Sequence, residues 1–170
     1  MLDRLWAGWR SDYVSAHAET GSAPLPDGEG SLFERILNAG YSDRETYIVH
    51  RGSDCFVILN RFPYGTGHML VLPNRAVGEL GSLKPDESAE LWQLTQQAVA
   101  AIEAVYRPDG VNVGMNLGRA AGAGVPDHLH MHCMPRWAGD TNFTTTIAEI
   151  RVLPEPLDVT WTKLTDAWPG

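Results

Sequence analysis

Between residues 128 and 132 the chain reads His-Leu-His-Met-His, with polar and apolar side chains in strict alternation, before Cys133 and Met134. A strand converts such alternation into two chemically distinct faces. His128, His130 and His132 are therefore predicted on one side of a sheet, with Leu129 and Met131 in the core behind it. Half of the chain's six histidines fall within these five residues. A single imidazole on an apolar face is ordinarily a satisfied core histidine; three side by side point to shared chemistry. Metal binding is the natural competitor, because imidazole is a common zinc ligand. Along a straight strand rising about 3.3 Å per residue, the outer rings originate about 13 Å apart, too far for all three to come within about 2 Å of one ion. A two-histidine site would need distant partners, and Cys133-Met134-Pro135-Arg136 supplies no acidic neighbour.

The surrounding pattern predicts what this strand pairs with. Residues 46–49 and 55–59 are short, rich in β-branched or aromatic side chains, and separated by the turn-prone Arg51-Gly52-Ser53-Asp54, a hairpin signal. Residues 69–72, ended by Pro73, read as a third strand, and residues 111–117 as a fourth. Leu32, Phe33, Ile36 and Leu37 recur at helical spacing before Gly40, which predicts a short helix. Ser82 or Asp86 is expected to cap a long helix reaching about Tyr106, with Leu91, Leu94, Ala98, Ile102 and Val105 as its apolar stripe. Hairpin-connected strands with helices grouped apart imply an α+β domain on a five-stranded antiparallel sheet, with one long and one short helix.

Length and composition bound the organisation. A chain of 170 residues fits one ordinary domain. Residues 1–30 read as an N-terminal arm and linker, with Leu5, Trp6, Trp9 and Tyr13 expected to pack on the body or on a second subunit. Residues 31–150 form the catalytic domain in this division, and residues 151–170 a C-terminal extension packing on it. A formal charge of -8 argues against a nucleic-acid polymer as partner, because phosphate backbones are bound mainly by clustered Lys and Arg. No apolar stretch approaches the roughly 18 residues that read as a membrane span. Cys55 and Cys133 lie in apolar stretches and are expected as buried free thiols, which with the absence of a signal-like segment predicts a cytoplasmic protein.

Just before the histidines lies Gly118-Arg119-Ala120-Ala121-Gly122-Ala123-Gly124. Glycines such as Gly122 and Gly124 let backbone N–H groups approach an anion, and Arg119 can clamp phosphate oxygens. Alone, the loop matches neither the dinucleotide fingerprint nor the P-loop order, and a plain turn would explain it. Beside three co-facial histidines, it reads as a phosphate site.

At this point the chain resembles the histidine-triad (HIT) family. The resemblance rests on the His-x-His-x-His signature from His128 through Met134, on Leu59-Asn60-Arg61-Phe62-Pro63, on Gly67-His68-Met69-Leu70-Val71-Leu72-Pro73 and on Leu83-Lys84-Pro85-Asp86-Glu87. It extends roughly from Tyr47 to Phe143. The branch most resembled contains fragile-histidine-triad hydrolases and bacterial dinucleoside-polyphosphate phosphorylases; Asn112-Val113-Gly114-Met115-Asn116 and Pro135-Arg136-Trp137-Ala138-Gly139-Asp140 favour the phosphorylase-like side.

The resemblance implies a HIT-like fold in which His130 attacks the α-phosphorus and carries a nucleotidyl group. His128 and His132 would donate hydrogen bonds to phosphate oxygens, and His68 would orient the triad. Asn60 and Asn116 would hold ribose hydroxyls or phosphate, and Trp137 would wall the pocket. The implied substrates are a dinucleoside polyphosphate, diadenosine tetraphosphate foremost, and inorganic phosphate, the products being ATP and ADP. No cofactor is required beyond, at most, a divalent cation accompanying the nucleotide. A homodimer or larger homo-oligomer is expected. Hydrolysis, phosphoramidase activity and a non-catalytic nucleotide-binding module remain open alternatives. Many bacterial relatives carry a zinc-binding Cys-x-x-Cys where this chain has Ser31-Leu32-Phe33-Glu34, so no structural zinc is expected. The Ala123-Gly124-Val125 tract, where hydrolases present Gln and Ser or Thr, leaves room for a second anion.

Overall fold

The computed structural model describes residues 28–140 and 155–170. Five strands form one antiparallel sheet in the order β1-β2-β3-β5-β4: β1 Ile48–Arg51, β2 Cys55–Leu59, β3 Met69–Pro73, β4 Gly110–Met115 and β5 Met131–Arg136. Its helices are α1 Leu32–Asn38, the single turn α2 Asp43–Thr46, α3 Pro85–Tyr106 and α4 Leu157–Asp166.

The period-two pattern separates two apolar layers. Val57, Leu59, Met69, Val71 and Cys133 meet Leu91, Leu94, Ala98 and Ile102 of α3 on one face. Ile48, Phe56, Ile58, Leu70 and Leu72 gather on the other, under Phe33 of α1. Register carries these faces into β5: Cys133 lies opposite Met69, and His132 opposite Leu70. His132 therefore belongs to the α1 side of the sheet, and its neighbour on β4 is Gly114.

Several boundaries differ from the sequence reading, each for a local reason. Ser42 and Glu45 form a reciprocal capping box that draws residues 43–46 into a helical turn. Thr46 is thus helical, Tyr47 turns the chain at φ 59, and the strand begins at Ile48. Neither Ser82 nor Asp86 caps α3. Lys84 is the N-cap, Pro85 takes the first helical position, and the Glu87 carboxylate accepts the Lys84 N–H at 2.8 Å. The last strand begins at Met131, so His128, in a bend, and His130 sit in the lead-in to β5. Near the C-terminus α4 packs against β1 and α3, burying Leu164 completely, while Trp161 donates its indole N–H to the Ile48 carbonyl at 2.8 Å. The aromatic arm expected from Leu5, Trp6, Trp9 and Tyr13 lies outside the described residues.

The β1–β2 hairpin is tied to α3 by one carboxylate. Glu90 accepts the backbone N–H groups of Ser53, Asp54 and Cys55 at 2.9, 2.5 and 2.7 Å. Glu90→Ala leaves these donors without their charged acceptor, a change worth about 2 kcal/mol. Calorimetry should show a melting temperature lower by about 4–8 °C, on the scale of about 2–4 °C per kcal/mol for a chain of this size. An unchanged melting temperature would remove this tie from the account of stability.

Candidate active site

The site is built where the β5 lead-in passes the N-terminus of α1. His130 and His132 present their rings to one another at 4.9 Å between centroids, and Phe33 lies 5.4 Å from the His128 ring and 5.5 Å from that of His130. His68, immediately before β3, completes the row at 5.0 Å from His132. The structure therefore brings all four candidate histidines together.

Hydrogen-bond partners determine the tautomers. His130 Nδ1 lies 2.8 Å from the His128 carbonyl. A carbonyl only accepts, so Nδ1 carries the proton and the neutral ring keeps its lone pair on Nε2. The second chain begins at the Tyr64 backbone N–H, which donates to His68 Nδ1 at 3.1 Å. His68 therefore carries its proton on Nε2 and donates it to His132 Nδ1 at 2.8 Å. His132 is left with its proton on Nε2, a buried donor with no hydrogen-bond partner among the described residues. A lone pair and an N–H donor thus stand on adjacent rings.

His128 departs from its expected role. It is completely buried; Nε2 donates to the Pro73 carbonyl at 2.8 Å, and Nδ1 accepts the Ser31 hydroxyl at 2.6 Å. Neither nitrogen is available to a phosphate oxygen. What His128 contributes is the carbonyl that orients His130.

Other candidates divide. Asn60 is committed to the protein: its carbonyl oxygen accepts the Phe62 N–H at 3.0 Å, and its amide nitrogen lies 3.3 Å from His68 Nδ1. It supports the His68 tautomer, a role different from the expected ribose contact. Asn116 lies beside Gly122, its amide nitrogen 3.8 Å from where a Cβ on that glycine would stand. Arg119 is exposed at the start of a short 3-10 turn. The amides of Ala121, Gly122 and Ala123 close onto the carbonyls of Gly118, Arg119 and Gly118, so these three cannot cradle an anion as the glycine pattern suggested. Gly124 is exposed and faces open space. Trp137 is not brought to the triad within the chain. It leaves β5 on the α3 side and meets Tyr106 edge-on at 6.3 Å.

Sequence reasoning missed Ser31, Phe33 as a wall of the triad, and Tyr64, whose ring stacks on His132 at 5.8 Å. The Ser31-x-x-Glu34 capping box was a legible signal for the first, since it places a helix N-terminus at Ser31. Gly114 is not among the glycines with positive φ, and a Cβ there would meet nothing within 4 Å, so the glycine next to His132 is required by neither backbone conformation nor protein crowding.

Burial sets the electrostatics. It lowers the proton affinities of His128 and His130 below the ordinary imidazole value, while the accepting carbonyls of Pro73 and His128 act in the opposite direction. His132 is pushed down to about 4 by burial and then by repulsion from His130. The rings are neutral at pH 7. The thiols of Cys55 and Cys133 are both buried and pushed up to about 12.

The chain matches the HIT domain over residues 42–139. It belongs to the HIT family. A relative from Mycobacterium tuberculosis named AP-4-A phosphorylase is 41% identical over 168 residues, spanning 98% of this chain and 85% of that protein. An asymmetrical bis(5'-nucleosyl)-tetraphosphatase from Schizosaccharomyces pombe is 38% identical over 82 residues, spanning 48% of this chain and 44% of that protein. Among solved structures, a hypothetical histidine triad nucleotide-binding protein from Sulfolobus tokodaii superposes with a TM-score of 0.64 at 26% identity, covering 79% of this chain and 89% of that one.

Lowered imidazole pKa values have a definite sign. Below the unfolded value of 6.5 the unfolded chain binds protons that the folded site refuses, so stability falls as pH drops and continues to fall towards the folded pKa, about 4 for His132. Thermal melts should therefore be nearly independent of the triad above pH 7 and decline between about 6.5 and 4. The decline should be shallower in His132→Asn. Equal pH slopes in that variant and the wild type would contradict the burial argument.

Proposed function

We propose that the protein cleaves dinucleoside polyphosphates through a nucleotidyl-histidine intermediate on His130. The observation that carries this reading is the pairing of an unprotonated His130 Nε2 with the unpartnered Nε2–H of His132 on the adjacent ring. The first supplies an electron pair; the second supplies a preorganised donor where phosphate oxygens gather charge. Attack on the α-phosphorus forms a P–N bond and breaks the bond to the leaving phosphate oxygen. Positive charge developing on the imidazole is stabilised through Nδ1–H by the His128 carbonyl.

With diadenosine tetraphosphate, the departing group is ATP and an adenylyl group remains on His130. Inorganic phosphate attacking that group releases ADP; water releases AMP. We favour phosphate. Its support is the identity to the AP-4-A phosphorylase along nearly the whole chain, together with the open space at Gly124 and the small, buried Ala123. Arg119 is the cation of the neighbouring loop that would attract this second anion.

The reaction requires no resident metal in this reading. Ser31 and Glu34 stand where zinc-binding relatives have thiolates, and their polar atoms are committed to His128 and to the Ala76 and Ser31 amides. These residues do not fit zinc. We also propose a homodimer. β4 is a sheet edge, and Val113 and Leu117 expose apolar side chains in and just beyond it, the features of a strand suited to pairing with a second copy. Sedimentation at micromolar concentration should give twice the chain mass, and a single-chain mass would refute the dimer.

Incubation with diadenosine tetraphosphate tests the chemistry. ATP and ADP should appear in the presence of phosphate, and AMP formation should be slow without it; equally fast AMP production unaffected by phosphate would make the enzyme a hydrolase. His130→Asn should lower turnover at least about a thousandfold while retaining nucleotide binding and a cooperative melt. An active His130 variant would defeat the covalent mechanism.

A further inference from the structure

The capping residue of α1 is joined to the nucleophile by a short hydrogen-bonded path. Ser31 is nearly buried, 6% exposed, and its hydroxyl is used in both directions. The oxygen accepts the Glu34 N–H at 3.2 Å, as a helix cap does, and the hydroxyl proton is donated to His128 Nδ1 at 2.6 Å. Glu34 holds the cap in place by accepting the Ser31 N–H at 2.9 Å and the Ala76 N–H at 2.9 Å. On the far side of the same imidazole, Nε2 donates to the Pro73 carbonyl at 2.8 Å, and the His128 backbone carbonyl receives the Nδ1–H of His130 at 2.8 Å.

Helix capping alone needs only an acceptor at this position. The donated proton is additional: the Pro73 carbonyl can only accept, so Nε2 carries the ring proton and Nδ1 is left to accept the Ser31 hydroxyl, which ties the ring to the cap. The ring is thereby held between α1 and the end of β3, and its backbone carbonyl is held with it. We propose that Ser31 is a positioning residue for the nucleophile, fixing His128 so that its carbonyl presents His130 Nε2 to the phosphorus. This inference rests on the covalent mechanism proposed above. Displacement of about 1 Å at a reacting centre can cost about 100-fold in rate, so a residue in this path can affect catalysis without touching substrate.

The test uses Ser31→Gly, which removes the hydroxyl at a helix-cap position where glycine is tolerated, and Ser31→Thr, which restores it. Single-turnover formation of the nucleotidyl-enzyme from diadenosine tetraphosphate should slow about 10- to 100-fold in Ser31→Gly, with KM changed less than about threefold, and recover in Ser31→Thr. In the nucleotide-free protein, nitrogen-15 spectra should show the His128 Nδ1 resonance moving towards that of an unbonded nitrogen and the His130 Nδ1 resonance moving with it. A wild-type rate in Ser31→Gly overturns the proposal, as does a slowed rate that Ser31→Thr, equally stable to heat, fails to restore. If the wild type itself forms no covalent species, the covalent mechanism fails. The spectra still decide the path, because unmoved His130 resonances in Ser31→Gly would overturn it.

Discussion

The contact between His130 Nδ1 and the carbonyl two residues earlier is the constraint on which the site depends. A backbone carbonyl has no proton to offer, so its partner nitrogen must hold one, and the other nitrogen of a neutral ring must be bare. The choice of the ring nitrogen that keeps a free lone pair is thus made by the main chain. It also requires the chain to turn its carbonyl towards the following histidine's ring, which explains why His130 lies in the lead-in to β5, before the regular ladder begins at Met131. The sheet anchors the segment without imposing its own pairing on it.

Burial gives the four histidines different work. His128 has no exposed surface and both nitrogens are occupied, so its contribution is structural. His132 keeps a donor in hand because His68 supplies the proton on its other side, and His68 takes its own tautomer from a backbone amide. Two opposite polarities result: one hydrogen-bond chain ends in an acceptor and the other in a donor. Both chains start from main-chain groups, which do not titrate, so the arrangement does not depend on a charged side chain to maintain its sense.

The sheet, the α3 stripe and the row of histidines were legible because they are periodic. Val57, Val71 and Cys133 recur on one face and Phe56, Ile58 and Leu70 on the other, and a period of two survives errors of a residue or two at strand ends. The inequality of the histidines was not legible. Identical spacing in sequence conceals the different partners that Pro73, His68 and Ser31 bring from elsewhere in the chain. The loop misled for a related reason: glycine marks where the backbone can turn, but not whether the freed amides face a ligand or, as at Ala121 and Gly122, the loop itself. Trp137 was placed by its proximity in sequence to the triad, whereas just past the end of β5 its ring meets Tyr106 at the end of α3.

Cys133 follows His132 directly, yet the pleat turns its sulfur into the layer beneath α3, where burial keeps it protonated. Thiolates, rather than thiols, are the nucleophiles that attack peroxides and disulfides. The same applies to Cys55, fully enclosed in β2. Both sulfurs are therefore held in the less reactive thiol form, although Cys133 is the chain neighbour of His132.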